Sequence, residues 1–393
     1  LKEGAGISRL YADSVESRLT LIVAGEASAD LHGSNLVRAM KTLDPYMAFW
    51  GIGGRMMEKA GVKILVPSSE MAVVGLTEVF SRWRTILKAY FQLKSILKHM
   101  SPNLLILIDY PEFNIPLARQ AKRFNVPVLY YISPQVWAWR AGRTKKLACR
   151  VDRMAVILPF EEGFFRRKGL TVDYVGHPLL DAIPAGLNKR EAMMRFDLEG
   201  RTPIIGLLPG SRKEEVIRLL PPMVKAAELL KTRYPSLTCV LPCASTIPPE
   251  LIESILSQST LSIKVIEGDI YRVLSACDFA LVKSGTATLE TAIMGVPMVI
   301  VYHISPISYW AARMAVKVPF VGLVNLVAGE KVVPELIQND MTPENLVRET
   351  VGILESRDRR ENMVKKLREV RERLRQGASE KTAQIALEMM TRG

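Results

Sequence analysis

The stretch LVKSGTATLETAIMGVP, residues 281–297, decides how this chain is read. Its first residues, with Phe279 and Ala280 before them, are short, continuous and apolar, as a buried strand requires. Ser284, Gly285 and Thr286 then make a turn of small residues. From Thr288 the apolar spacing becomes helical, and Gly295 with Pro297 stops it. A strand, a tight turn and a helix start leave free backbone N–H groups and a positive dipole end at the strand's carboxyl edge, where an anion can sit. Glu290, one turn into the helix, is placed to accept hydrogen bonds from sugar hydroxyls beside a bound phosphate. The same residues also read as an ordinary capped helix with Glu290 balancing its dipole.

A second stretch tips the balance. In GLLPGSR, residues 206–212, Gly210, Ser211 and Arg212 end a strand and open a helix in the same way. No Gly-Lys-Ser/Thr follows, which disfavours an ATPase. Two phosphate-sized anion sites with a guanidinium beside them would hold a diphosphate. Further upstream, TLIVAG (20–25) is a strand and EASADLHG (26–33) a turn that opens a helix. LLILI (104–108) is a continuous apolar run, hence a central parallel strand, and Asp109 follows at its carboxyl end, where open α/β sheets place functional groups. The GIGG at 51–54 lacks the third glycine of the dinucleotide fingerprint, so a Rossmann dehydrogenase is disfavoured. Strand and helix alternate twice over, around a hinge at 179–201. The expected fold is therefore α/β, two doubly wound Rossmann-like domains facing a cleft. The expected divisions are a polar tail (1–19), an N-terminal domain (20–185), a C-terminal domain (186–350), and C-terminal helices (351–393) that pack back on the N-terminal domain or on a partner chain.

At 393 residues the chain is long enough for two cores. No apolar run approaches the roughly 20 residues of a membrane span, and residues 1–19 have no signal-peptide core, so a cytoplasmic protein is expected. The four cysteines and four histidines are scattered and read as structural thiols and single imidazoles, with no metal site. The net charge of +13 calls for an anionic partner. Residues 119–168 hold twelve Lys or Arg against three acids, but no RNA-binding or helix-turn-helix signature, which leaves anionic lipid or a phosphorylated sugar ahead of nucleic acid. A long helix at 84–100 lines Trp83, Ile86, Leu87, Tyr90, Leu93, Leu97 and Met100 along one face. Between 81 and 100 there are five Lys or Arg and no acid. Such a helix is either a core helix or one that rests on anionic lipid. The apolar lead-in, 71–80, favours lipid, with Val74, Leu76, Val79, Phe80 and Trp83 as the exposed face.

GEAS-x-D (25–30), DYPEFN (109–114), SPQVWAWR (133–140), LLPGSR (207–212), SGTATLE (284–290) and GLVNLVAG (322–329) come in that order. From about residue 20 to about 338 the sequence resembles the lipid-A-disaccharide synthase family, glycosyltransferases of GT-B architecture (family 19). The WAWR and D-x-P-x-F-N segments carry most of the specificity. LLPGSR and the small-residue loop ending in Glu are shared with other GT-B enzymes. Ala29 stands where the family usually has Gly, and Glu112 where Asp is common.

The resemblance implies inverting transfer of 2,3-diacylglucosamine from UDP-2,3-diacylglucosamine onto 2,3-diacylglucosamine 1-phosphate, with no metal or other cofactor, the UDP-sugar being a substrate. Asp109 is then the expected base for the acceptor hydroxyl, and Glu26 the second carboxylate of its wall. Gly210, Ser211, Arg212, Ser284, Gly285, Thr286 and Thr288 are the expected UDP site, with Glu290 on the ribose and Asn325 touching the donor. Arg140 and Arg143 lie in the basic stretch suited to the acceptor's 1-phosphate. The expected location is peripheral, on the inner face of the cytoplasmic membrane, and a homodimer is left open. The rival classes are another UDP-sugar enzyme of this fold, such as a UDP-N-acetylglucosamine 2-epimerase or a peptidoglycan glucosaminyltransferase, and a non-catalytic nucleic-acid-binding protein.

Overall fold

The computed structural model describes residues 18–71, 76–137, 142–184, 186–305 and 318–391, with the backbone alone for residues 76–82 and 143. The chain forms two compact units, Leu1–Asp181 with Arg375–Gly393, and Ala182–Leu374. In the first unit β1 (Leu19–Ala24), β2 (Ala48–Gly53), β3 (Val62–Pro67), β4 (Leu104–Ile108), β5 (Val128–Tyr131), β6 (Arg153–Val156) and β7 (Val172–Tyr174) build one sheet, ordered β3-β2-β1-β4-β5-β6-β7. In the second, β8 (Ile204–Leu208), β9 (Thr238–Cys243), β10 (Ile263–Glu267), β11 (Phe279–Lys283), β12 (Met298–Tyr302) and β13 (Glu335–Ile337) are ordered β10-β9-β8-β11-β12-β13. Every described strand pair is parallel.

The sequence of the central strands explains this. LLILI of β4 and IIGLL of β8 are buried along their whole length. A strand that is apolar on both faces needs helices on both faces, and that condition selects parallel βαβ winding. In both sheets the winding reverses direction between two neighbouring strands, β1 and β4 in one, β8 and β11 in the other. The residues facing each other there are Ala24 with Ile108 and Leu208 with Val282. At such a switch point the flanking connections diverge and leave a crevice at the strands' carboxyl ends.

Asp30 of the GEASAD motif has a structural duty. It is buried in the helix Ala27–Leu43, and its carboxylate accepts the N–H groups of Gly54 at 2.7 Å, Met56 at 3.1 Å and Met57 at 3.1 Å. It thereby caps the helix Arg55–Lys59 from outside. A Cβ on Gly54 would press into that carboxylate. The second glycine of the GG pair is thus the seat of a cap.

The C-terminal residues divide between the units. The helix Arg357–Leu374 buries Met363, Leu367, Val370 and Leu374 in the second unit. The helix Ala378–Thr391 adds Ala378, Ala383, Ile385 and Ala386 to the core of the first. Asp181 accepts the N–H groups of Gly377 at 2.9 Å and Ala378 at 3.2 Å, and Arg153 bridges Asp173 and Glu388. The single segment expected at 351–393 is therefore shared between the two units.

The long basic helix runs Leu76–Met100 and carries two apolar rows where the sequence suggested one. Ala89, Leu93 and Leu97 are buried, whereas Trp83, Leu87 and Phe91 are 48%, 41% and 58% exposed.

Asp30→Ala removes one acceptor from three N–H groups and is expected to lower stability by about 3 kcal/mol, read as an earlier thermal unfolding midpoint. An unchanged midpoint would take Asp30 out of the capping role.

Candidate active site

The first unit's crevice is built on strained backbone. Asp109 (φ 47°) and Tyr110 (φ 43°) are consecutive left-handed residues, neither of them glycine, an arrangement that costs about 1–3 kcal/mol per residue. The surroundings hold it. The Asp109 carbonyl accepts Asn114 Nδ2 at 2.6 Å and the Tyr130 hydroxyl, and Asn114 Nδ2 also reaches the Ile108 carbonyl at 3.2 Å. Asn114 is fully buried for this purpose. Tyr110 stacks on Phe113 with ring centroids 5.9 Å apart and donates its hydroxyl to the Met71 carbonyl at 3.2 Å. A Cβ on Gly25 would run into the Tyr110 ring, so the turn after β1 closes against the turn after β4 only with glycine there. In DYPEFN, Pro111 to Asn114 form the first turn of the helix Pro111–Arg123, with Pro111 at its opening position.

Glu26 is exposed at the start of the helix Ala27–Leu43, close enough to Asp109 for its charge to act there. Burial pushes the Asp109 carboxyl up to about 6, Glu26 and Glu112 push the same way, and the Tyr110 N–H pulls it down. Asp109 is itself exposed, so water screens part of the burial effect and of the repulsion. The upward direction is what the chemistry uses. In the same unit burial lowers His32 to about 4 and His177 to about 3, so both imidazoles are neutral at pH 7.

Ser133 and Trp137 of the SPQVWAWR motif are held by a group that the sequence did not single out. Glu161 is buried and accepts from the Ser133 hydroxyl, Trp137 Nε1 at 2.9 Å and the Leu158 N–H at 3.0 Å. Burial nevertheless outweighs these donors and raises its carboxyl to about 7. Arg140 and the side chain of Arg143 lie outside the described residues, as do Val74 and the side chains of Leu76, Val79 and Phe80. Trp83 is described, and is exposed.

In the second unit both expected anion loops stand at the switch point. Gly210 (φ 114°) leads to Ser211 and to Arg212, the residue before the helix Lys213–Arg233. Gly285 (φ 146°) leads to the helix Thr286–Ile293. Neither helix start receives a side-chain cap, so first-turn N–H groups remain available to an anion. Ser284 Oγ donates to the Val321 carbonyl at 2.9 Å and Thr288 Oγ1 to the Gly285 carbonyl at 2.7 Å. Those hydroxyls shape the loop, and its backbone is what faces an anion. Glu290 accepts the Tyr271 hydroxyl, and burial raises its carboxyl. Tyr271 was missed, because nothing in the sequence pairs it with a residue nineteen positions on.

Asn325 is placed differently from expectation. It is fully buried; Oδ1 accepts the N–H groups of Val332 at 2.8 Å and Val333 at 3.0 Å, and Nδ2 donates to the Val333 carbonyl at 2.9 Å and Glu335 Oε1 at 2.8 Å. With its whole amide engaged inside the chain it holds the loop after the helix Leu323–Ala328 and has nothing left for a donor sugar. Among the described residues no three His, Cys, Asp or Glu are grouped to hold a metal ion.

Two Rossmann-like units, one with Asp109 at its switch point and the other with two uncapped helix starts and an arginine at its own, give the chain GT-B architecture. The family model for lipid-A-disaccharide synthetase matches residues 20–389. The chain belongs to the lipid-A-disaccharide synthase family and is a glycosyltransferase of lipid A biosynthesis. It is 48% identical to lipid-A-disaccharide synthase of Geobacter metallireducens over 375 residues, 95% of this chain and 98% of that one. Against the Syntrophus aciditrophicus enzyme the identity is 47%, covering 96% and 99%. Among solved structures, the S. aureus MnaA–UDP co-structure matches with a TM-score of 0.65 at 14% identity, covering 95% of this chain and 98% of that one. Acinetobacter baumannii MurG matches with a TM-score of 0.59 at 16% identity, covering 94% and 99%. The last two share the fold; the family membership separates this chain from them.

Burial raises the Glu161 carboxyl from 4.5 to about 7, so its protonated form favours folding. That contribution is complete below the unfolded value and is lost as pH rises through the folded one. Glu161→Gln, which keeps the shape without titrating, is expected to flatten the fall in melting temperature between about pH 5 and pH 8. A slope equal to the wild type's would show that Glu161 does not titrate in this range.

Proposed function

We propose that the chain transfers 2,3-diacylglucosamine from UDP-2,3-diacylglucosamine to 2,3-diacylglucosamine 1-phosphate with inversion, releasing UDP. The observation that carries this reading is Asp109, a strand-end carboxylate made more basic by burial and by Glu26. In the reaction the acceptor hydroxyl attacks the anomeric carbon on the face opposite the diphosphate. The new carbon–oxygen bond forms as the bond to the diphosphate oxygen breaks, the hydroxyl proton passes to Asp109, and the electron pair leaves with UDP. A base whose conjugate acid titrates near neutrality is well matched to this work. Glu26 keeps that basicity up. On the leaving side negative charge grows on the diphosphate, where the first-turn N–H groups after Gly210 and Gly285 and the guanidinium of Arg212 stabilise it most in the transition state. Glu290, oriented by Tyr271, holds the ribose.

Both substrates carry acyl chains, and the reading includes a peripheral seat on the inner face of the cytoplasmic membrane. Trp83, Leu87 and Phe91 recur every four residues, so they form one row on the helix Leu76–Met100. Arg84 and Lys88 are exposed beside it, with the Arg84 guanidinium 5.8 Å from the Trp83 ring centre. An apolar row edged by cations suits the boundary between headgroups and acyl chains of an anionic bilayer. Among the described residues no helix is long and apolar enough to cross a membrane. Arg140 and Arg143 would receive the acceptor's phosphate.

UDP release, followed with and without the phosphorylated acceptor, tests the reaction directly; release that ignores the acceptor would sink the transferase assignment to these substrates. Asp109→Asn is expected to lower turnover at least about a hundredfold with UDP affinity nearly intact. In the wild type kcat/KM should fall as pH drops through about 6, since the base is then protonated. Glu26→Gln removes a negative neighbour and should move that limb to lower pH. An unmoved limb would separate Glu26 from Asp109.

Leu87→Ser with Phe91→Ser is expected to reduce sedimentation with anionic vesicles and leave the melting temperature nearly unchanged. Retained vesicle binding with an earlier unfolding transition would return this row to a packing role.

A further inference from the structure

The carboxyl edge of the second unit holds a charged pair that the proposed chemistry does not use. Lys283 is the last residue of β11, immediately before the Ser284–Gly285 turn, and its ammonium lies 2.8 Å from Glu215 Oε1. Both side chains are largely buried, 22% and 18% exposed. The pair spans the two anion loops. A Cβ built on Gly285 would sit 3.4 Å from the Lys283 ammonium, and one built on Gly210 would run into the Glu215 carboxylate. Glu215 is also the third residue of the helix that opens after Arg212. Tyr302, at the end of the neighbouring strand, feels the charges of both Glu215 and Arg212. A carboxylate therefore stands against the glycine of one loop while a cation stands beneath the glycine of the other.

This arrangement is that of an anion site keeping its own counter-ion. Uncapped helix starts and an arginine favour negative charge, and Glu215 supplies one within the fold. A half-buried lysine needs a partner, because an unpaired buried ammonium is costly. Resting on the diphosphate site proposed above, we propose that Lys283 is a phosphate ligand of the nucleotide diphosphate, and that Glu215 is the resident anion which an incoming phosphate displaces from it. The ammonium has a short way to go, since the loop it would serve passes directly over it. Glu215 then has two opposing effects. It holds Lys283 in place when the site is empty, and it competes with the ligand for the same charge.

The test is calorimetric titration of the full chain with UDP and with uridine, alongside melting temperatures. Lys283→Met is expected to weaken UDP binding about tenfold or more, the scale of a lost charged hydrogen bond, while uridine binding stays as in the wild type. Lys283→Arg should retain most of the UDP affinity. Glu215→Gln, which removes the competing charge and leaves the lysine, should tighten UDP binding. UDP affinity unchanged in Lys283→Met, or an equal loss for uridine, would overturn the ligand role. Weaker UDP binding in Glu215→Gln would overturn the displacement. A wild-type protein that does not bind UDP would instead remove the reading of the site itself, which distinguishes the two failures.

Discussion

The reversal of winding between β1 and β4, and again between β8 and β11, is the constraint from which the rest of this molecule follows. Fully buried parallel strands have no room for polar side chains along their length. Groups that do chemistry can only stand where the strands end, and only at the switch point do two adjacent ends open onto the same crevice. Glu26 and Asp109 follow one such pair of ends; Gly210 and Ser284 follow the other. The strands in turn fix how closely the paired loops approach. With Ala24 facing Ile108, the turns after them overlap, and a side chain on Gly25 would collide with Tyr110.

That closeness explains why the backbone at Asp109 is strained. Two successive left-handed residues at the end of β4 turn the chain into the helix Pro111–Arg123 within a single step. The strain persists because the Asp109 carbonyl has two fixed donors, Asn114 and Tyr130, and because Tyr110 is clamped by Phe113 and the Met71 carbonyl. Relaxing either residue would break several of these contacts at once. The carboxylate is therefore held by its own main chain, and although the Tyr110 N–H lowers its basicity, burial and the neighbouring carboxylates outweigh that donor.

What could be read in the sequence beforehand was whatever is local. Apolar runs gave the strands, small residues followed by a helical period gave the anion loops, and Asp109 was visible as the first polar residue after LLILI. What could not be read depends on which way a side chain points. Asn325 looked like a donor ligand, but an amide that ties up its own loop has the same sequence signature as one that faces a substrate. Glu161 meets Ser133 and Trp137 from 28 and 24 residues away, a pairing no periodicity reports. Phe91 shares its four-residue spacing with Trp83 and Leu87 and so marks a second row, which a single-faced helical period does not report. Lys283 stands inside the deciding stretch, but a lysine at a strand end has the same sequence signature whether it faces solvent or pairs with Glu215.

The two switch points carry opposite electrostatic surroundings. A proton acceptor needs negative surroundings, and the edge beside Asp109 carries Glu26 and Glu112. A departing diphosphate needs the opposite, and the edge beside Gly285 carries helix starts, Arg212 and Lys283. Unit charges about 4 Å apart interact by roughly 1 kcal/mol in bulk water and roughly 4 kcal/mol near a protein surface. Within each unit, charges at such distances act on the residues of their own switch point: Glu26 and Glu112 raise the Asp109 carboxyl, and the uncapped helix starts with Arg212 favour an anion. The pair formed by Lys283 and Glu215 fits this division: it neutralises the cationic edge from within that edge's own unit, without drawing on the carboxylates that keep Asp109 basic.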